Sequence, residues 1–227
     1  VREPIMNTLA EVTQQPASGL LHIDALLDAG PGWNFLAPAR STLVYSFALG
    51  GARSSDAGVN YNGALSAFNS AQQSAVVQAL DRVTDVTGIR FQASADGAAA
   101  DLHFASADIV GSSSMGYTST LWNYRFDGNK LITEYTAGAW IYLDNAEWAA
   151  DHAAPMPGSD GFETLLHEIG HALGLKHSFE GDVRLPVALD HTGNTLMSYT
   201  VHGGPHDTFA AFDVAALLFL YGDDGLG

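Results

Sequence analysis

The spacing of apolar and polar residues along the chain predicts a series of strands and helices. Residues 41–49 place apolar side chains at every second position, which is the period of a strand with one buried face. Shorter apolar runs predict further strands, and these runs are 89–93, 102–105, 115–120 and 139–143. Residues 121–136 are polar and aromatic, and we interpret them as a surface excursion between two strands.

Helical spacing of apolar residues predicts a long helix within residues 65–87, with Gly88 in the position of a C-cap glycine. Residues 160–163 have capping-box spacing, with Asp160 in the capping role, and are expected to open a second helix that Gly174 ends. Capping residues occur at such boundaries because they help to satisfy the backbone groups that have no hydrogen-bond partner at helix ends.

The last part of the chain is predicted as a loop followed by a helix. Residues 178–207 contain Gly, Pro, Asp and His with little periodicity, whereas residues 209–221 form an apolar run that Gly222 follows. The order strand, helix, strands, helix, loop, helix is typical of an α+β fold with a mixed sheet. A length of 227 residues fits one domain, or one domain with two sub-lobes around a cleft.

Charge and composition exclude several classes of partner. The chain has 9 Lys and Arg against 25 Asp and Glu, a formal net charge of −16, which repels phosphate backbones and anionic headgroups. We therefore expect no nucleic-acid partner and no membrane insertion, since no stretch approaches the ~20 apolar residues of a transmembrane helix. There is no cysteine, so a metal site must rely on other ligands.

The motif that indicates chemistry is His-Glu-x-x-His-x-x-Gly-x-x-His, which begins at His167. His167 and His171 are four residues apart and share one face of a helix, so both can reach one Zn²⁺. Gly174 allows a sharp turn, and the turn lets His177 approach as a third ligand. Three neutral histidines leave the fourth position open for water, as in catalytic zinc sites. Glu168 is expected to accept the proton of that water.

A methionine about twenty residues after the third histidine strengthens this interpretation. Met197 lies in Asn-Thr-Leu-Met-Ser-Tyr-Thr, and a zinc motif followed by such a Met-turn is the metzincin signature. We expect Met197 to form a hydrophobic floor beneath the imidazoles. Tyr199 follows two residues later, and a packed tyrosine with a satisfied hydroxyl is the alternative to a role in the site.

The chain resembles the serralysin-type metzincins, the catalytic domains of secreted bacterial RTX proteases, over residues from about 20 to 222. The resemblance rests on short strings of sequence besides the zinc motif and the Met-turn. These strings are 23–27 (IDALL), 32–33 (GW), 43–47 (LVYSF), 67–73 (AFNSAQQ), 100–104 (ADLHF), 213–216 (DVAA) and 220–222 (LYG).

The resemblance implies a single catalytic domain over residues 1–227, with an N-terminal lobe at 1–174 and a C-terminal lobe at 175–227. The upper lobe would hold a twisted mixed sheet and the helix of the zinc motif, and the lower lobe the Met-turn and the final helix. It also implies that Tyr199 ligates zinc in the resting enzyme and then assists catalysis. An exposed edge strand would bind extended substrate; its residues are Met115, Gly116, Tyr117 and Thr118.

By the same resemblance the protein is expected to be a secreted, monomeric zinc metalloendopeptidase that hydrolyses internal bonds of a protein or peptide. A proteinaceous inhibitor is kept as a further class of partner. No Gly-Gly-x-Gly-x-Asp repeat occurs in the chain, so the RTX β-roll is not part of it, and calcium is an option that no motif supports.

Two features depart from the serralysin pattern and leave alternatives open. Ser178 follows His177, where serralysins usually carry proline, and His-Ser is the habit of the matrixins. The segment from His177 to Met197 is also shorter than is usual in serralysins. The alternatives are a matrixin-like protease without a tyrosine ligand, and an inactive zinc-containing peptide-binding module.

Overall fold

The fold is that of a computed structural model, which describes residues 7–14, 17–51, 60–111, 113–222 and 225–226. In these ranges six α-helical and six β-strand segments are joined by loops and three short 3₁₀ turns. The helices are α1 (Leu9–Thr13), α2 (Leu21–Asp24), α3 (Ser70–Thr87), α4 (Ala149–His152), α5 (Asp160–Ala172) and α6 (Ala211–Tyr221). The strands are β1 (Thr42–Ser46), β2 (Tyr61–Ser66), β3 (Arg90–Ala93), β4 (Leu102–Ile109), β5 (Gly116–Phe126) and β6 (Ile132–Asp144).

The strands form one mixed sheet in the order β3-β1-β4-β6-β5. Strands β3, β1, β4 and β6 are parallel, and β5 is antiparallel to β6. Strand β2 lies outside this order and pairs antiparallel with the second half of β4. Strand β5 is therefore one edge strand of this order in the described sheet, with β3 at the opposite end. The predicted α+β class with a mixed sheet is confirmed.

The core lies mainly on one face of the sheet, where α3 and α5 pack against each other and α5 packs against β5 and β6. Successive side chains of a strand point to opposite faces. In β6, Ile141 accordingly lies in the main core and Tyr142 in a smaller cluster on the other face. None of the helices in the described ranges is long and apolar enough to cross a membrane.

The interpretation of residues 121–136 as a surface excursion is correct in that most of them are exposed, but wrong in placing them between strands. Strands β5 and β6 continue through this stretch as a long antiparallel hairpin, with a register that runs from Gly116 opposite Leu143 to Phe126 opposite Ile132. The pattern did not predict a strand because most of β5 is half-buried or exposed, so its side chains need not alternate between apolar and polar. Cross-strand pairing with β6 replaces core burial as the stabilising interaction.

The predicted start of the first long helix is also wrong. Residues 61–66 form strand β2, and α3 begins at Ser70. Asn69 sets this boundary, because its side chain accepts hydrogen bonds from the backbone of Ala71 and Gln72 while Gln72 bonds back to the Asn69 N–H. The predicted end is confirmed, since Gly88 adopts the left-handed conformation at φ +72°.

Three smaller boundaries differ from the predictions. Strand β1 ends at Ser46, and Leu49 lies half-exposed in a 3₁₀ turn instead of continuing the strand. Strand β4 extends beyond the predicted 102–105 to Ile109. The cap of α5 is Ser159, whose hydroxyl accepts from the Phe162 N–H, so Asp160 is the first helical residue and not the cap. In each case a hydrogen bond or a sheet partner decided the boundary, and apolar spacing did not.

Candidate metal centre and catalytic site

The three histidines of the motif meet at one point, as the spacing predicted. His167 and His171 project from α5, which buries its apolar face in the core. The helix ends at Ala172, and Gly174 then turns the chain in the left-handed region at φ +90°. A residue with a side chain would be strained in that conformation. The turn brings His177 back beneath the helix.

The distances between the three ring nitrogens fit a tetrahedral zinc ion. The Nε2 atom of His171 lies 3.1 Å from that of His167 and 3.1 Å from that of His177. The Nε2 atoms of His167 and His177 are 3.3 Å apart. Two nitrogen ligands at ~2.0–2.1 Å from a tetrahedral ion would lie about 3.3–3.4 Å from each other. The observed separations are therefore close to those of a zinc-bound set.

Hydrogen bonds at the opposite ring nitrogens prepare the two helical histidines for a metal. The Nδ1 of His167 lies 2.6 Å from the Leu196 carbonyl oxygen, and the Nδ1 of His171 lies 2.8 Å from that of Leu175. A carbonyl only accepts, so each Nδ1 carries the proton and each Nε2 presents a lone pair. Lone pairs that face one another at these distances repel unless a cation lies between them.

Burial keeps the two helical histidines neutral. Desolvation, aided by the neighbouring imidazoles, lowers the pKa of His167 to about 3 and that of His171 to about 4. Metal ligation requires the neutral ring. Both rings are therefore in the ligating form at neutral pH.

The third histidine has a different outer partner. The Nδ1 of His177 lies 2.9 Å from a carboxylate oxygen of Glu180, which is about half exposed, and Phe179 stacks on the imidazole at 5.1 Å. A carboxylate that accepts from a ligating histidine orients the ring and raises its basicity. Sequence reasoning missed Glu180, although its place three residues after His177 was a local signal.

Glu168 is buried beside the histidines. Its Oε2 accepts a hydrogen bond of 2.7 Å from the Thr118 hydroxyl of β5. Burial raises the pKa of Glu168 to about 8, against the lowering effect of this hydrogen bond. A divalent cation close by would favour the carboxylate and lower that pKa again.

Tyr199 reaches the same cluster from the segment after Met197. Its hydroxyl oxygen lies 2.9 Å from the Nε2 of His177, and its ring contacts those of His177 and Phe179. The side chain is 67% exposed, so it is not a packed core tyrosine. At 2.9 Å the hydroxyl is within hydrogen-bond distance of this nitrogen, so the Tyr199 oxygen lies beside the three Nε2 atoms.

The turn that carries Met197 is anchored by a buried carboxylate. Met197 is fully buried and packs against Gly170 of α5. Asp213 of α6 accepts hydrogen bonds from the Thr195 hydroxyl and from the Leu196 N–H at 2.8 Å. Burial raises the pKa of Asp213 to about 6, against these hydrogen bonds. The last helix therefore holds the Met-turn in place, and the role of Met197 as a floor beneath the imidazoles stays a prediction.

The four residues expected in the substrate-binding strand make different contacts and lie on different faces of the sheet. Met115 precedes β5, and its carbonyl accepts from the Asp144 N–H at 2.9 Å. Gly116 and Thr118 face Glu168, whereas Tyr117 packs in the smaller cluster on the other face of the sheet. The backbone of Gly116, Tyr117 and Thr118 forms the start of the edge strand, beside Glu168 of the zinc motif. Pairing of substrate with this edge stays a prediction.

A second group of acidic side chains brings Asp108, Asp144 and Glu147 together. The carboxylate of Asp144 already accepts hydrogen bonds from three backbone N–H groups, which belong to Ile109, Ala146 and Trp148. These bonds shape the loop after β6, so Asp144 has a structural role there. The option of calcium stays untested.

Three features together define a metzincin-type metallopeptidase. The edge strand of a mixed sheet flanks a helix with two histidines, a third histidine follows a glycine turn, and a methionine is buried below them. Residues 59–196, more than half of the chain, match the family model of matrixin, a peptidase family. The chain therefore belongs to the matrixin family of metallopeptidases, which depends on zinc.

Two curated relatives are similar to the chain. Serralysin G of Dickeya chrysanthemi is 29% identical over 196 residues, which are 80% of this chain and 39% of that protein. The probable matrix metalloproteinase 095L of Invertebrate iridescent virus 3 is 34% identical over 106 residues, which are 44% of this chain and 26% of that protein. The chain thus spans less than half the length of both relatives.

Proposed function

We propose that this chain is the catalytic domain of a zinc-dependent endopeptidase that hydrolyses internal peptide bonds. The observation that carries the proposal is the convergence of three imidazoles, with Nε2 atoms 3.1–3.3 Å apart, beside a buried glutamate. His167, His171 and His177 would hold the metal. Zinc in that position supplies a Lewis acid that polarises the substrate carbonyl and acidifies a water molecule.

Glu168 is the proton carrier of the proposed reaction. Its carboxylate takes a proton from the attacking water and later hands that proton to the leaving amine. Burial beside the histidines favours this role, because a carboxylate in a water-poor site is a stronger base than one in solution. The same group can therefore serve as base and then as acid.

Tyr199 is proposed as a ligand in the resting enzyme that turns to the substrate during the reaction. Its phenol would donate a hydrogen bond to the oxyanion that develops on the substrate. The exposed side chain has room to move, and its 2.9 Å contact with His177 places the hydroxyl at the cluster. Substrate would bind in extended form along the outer edge of β5.

The organisation of the proposed enzyme follows the serralysin resemblance. Residues 1–174 would form the upper lobe, and residues 175–227 the lower lobe with Met197 and α6. A protein or peptide is the proposed substrate, a proteinaceous inhibitor is a further partner class, and the domain is proposed to be monomeric. We place the protein outside the cell on the same basis.

An assay of peptide hydrolysis with and without a chelator tests the proposed activity. We expect cleavage of an unfolded protein to stop when zinc is removed and to return when zinc is restored. Mass spectrometry of the digest should show internal fragments. Ladders shortened by one residue at a time would indicate an exopeptidase, and zinc binding without any hydrolysis would favour the inactive peptide-binding module.

Substitution Tyr199→Phe separates the serralysin-like mechanism from the matrixin-like one. Loss of a donor to a developing oxyanion typically costs ~10²–10³ in kcat with little change in KM, so we expect that pattern here. Zinc content should be unchanged, because three histidines remain. Tyr124→Phe, on the exposed part of β5, is the matched control and should turn over peptides like the wild type. Wild-type kcat in Tyr199→Phe would leave water and Glu168 as the mechanism.

A further inference from the structure

The contact between Thr118 and Glu168 crosses from the edge strand to the helix of the zinc motif. The Thr118 hydroxyl lies 2.7 Å from Oε2 of Glu168 and 2.8 Å from the backbone carbonyl oxygen of the same residue. The two residues are 50 positions apart in the chain. A hydroxyl has one proton, so it donates to one of these two oxygens at a time.

Gly116 completes the arrangement from the same face of β5. A Cβ atom built on Gly116 would lie 2.8 Å from Cγ and 2.9 Å from Oε1 of Glu168. Residues two apart on a strand share a face, so Gly116 and Thr118 are both directed at the glutamate. The strand thus leaves space for Oε1 at Gly116 and offers a hydrogen bond to Oε2 at Thr118.

We propose that Thr118 is a positioning residue that fixes the orientation of the Glu168 carboxyl group and leaves Oε1 as the oxygen that exchanges protons with the reactants. An ionised carboxylate oxygen is a stronger acceptor than a carbonyl oxygen, so the Thr118 hydroxyl donates to Oε2 while Glu168 is ionised. Oε1 is then the oxygen left to take a proton from water. From there the proton can pass to the leaving amine without rotation of the carboxyl group. This inference rests on the proposed function of Glu168.

The Thr118 hydroxyl belongs to β5, the strand that is proposed to bind substrate. Substrate paired with the edge of β5 would lie next to the residue that orients Glu168. A small displacement of a catalytic group from its productive geometry costs as much as ~10²-fold in rate. A hydrogen bond from β5 therefore couples the position of the proton carrier to the strand that would hold the peptide.

The experiment compares Thr118→Val and Thr118→Ser with the wild-type enzyme. Valine keeps the shape of threonine without the hydroxyl, so we expect kcat to fall about 10- to 100-fold with little change in KM. Serine keeps the hydroxyl and should restore most of kcat. Thr133→Val, at an exposed position of β6, is the matched control, because it makes the same exchange outside the strand proposed to bind substrate.

Zinc content and thermal unfolding provide readouts that do not depend on activity. We expect both to be close to wild type in Thr118→Val. If Thr118→Val does not fold, Thr118→Ala against Thr118→Ser gives the same contrast, because the two differ by one hydroxyl oxygen.

Three results would overturn the positioning role. These are wild-type kcat in Thr118→Val, a loss of kcat that Thr118→Ser shares in full, and an effect confined to KM or to the unfolding temperature. If Glu168→Gln is inactive while Thr118→Val is fully active, the proposed function stands and only the role of Thr118 fails. If Glu168→Gln is itself active, both fail.

Discussion

Substitution His171→Ala is expected to abolish zinc binding and, with it, peptide hydrolysis. The Nε2 atom of His171 lies 3.1 Å from the Nε2 atoms of His167 and His177, so the substitution removes one of the three nitrogens proposed to bind zinc. Two histidines alone do not complete a zinc site of this type. Zinc affinity should fall by more than the ~10–100-fold that the loss of an outer partner of a ligand typically costs.

Metal analysis and thermal unfolding measure this effect directly. The wild type should carry about one zinc per chain and unfold at a lower temperature after chelation, because a ligand that binds only the folded state stabilises it. His171→Ala should carry little zinc and show no shift with a chelator. His202→Ala, an exposed histidine in the loop after Met197, is the matched control. Zinc retained at wild-type occupancy in His171→Ala would refute the proposed ligand set.

Substitution Glu168→Gln is expected to keep zinc and fold while kcat falls by about 10²–10⁴-fold. Glutamine has the size of glutamate and can still accept the Thr118 hydrogen bond, but it does not take a proton from water. The loss should therefore appear in kcat, with KM close to wild type.

The controls for Glu168→Gln separate chemistry from folding. Glu134→Gln in the exposed hairpin makes the same change of charge far from the histidines, and it should leave turnover unchanged. Metal analysis of Glu168→Gln should show wild-type zinc. Near-normal kcat in a folded and zinc-loaded Glu168→Gln enzyme would exclude Glu168 as the proton carrier.

The part of the site that sequence reasoning predicted correctly depends on short spacings. His167 and His171 are one helical turn apart, and Gly174 permits the turn that returns His177, so the three nitrogens meet without reference to the rest of the chain. The family follows from the same local motif.

The failures have a common physical origin. Helical spacing extended the first long helix back to residue 65, but the cap at Asn69 and the pairing of β2 with β4 decided the boundary. Residues 121–136 carry no strand period, because a hairpin exposed to solvent is stabilised by its partner strand and does not need a buried face. Secondary-structure propensity and the period of apolar residues are weak predictors where tertiary partners supply the hydrogen bonds.

The amino-acid sequence by itself determined the cluster of three histidines, the neighbouring glutamate and the class of protein, because each depends on residues within a few helical turns of one another. Only the tertiary structure decided that Thr118 and Gly116 face Glu168 and that β5 is an edge strand of the described sheet. These contacts join residues about 50 positions apart. Their register comes from the pairing of β5 with β6 and the packing of α5 on both strands, which no local spacing encodes.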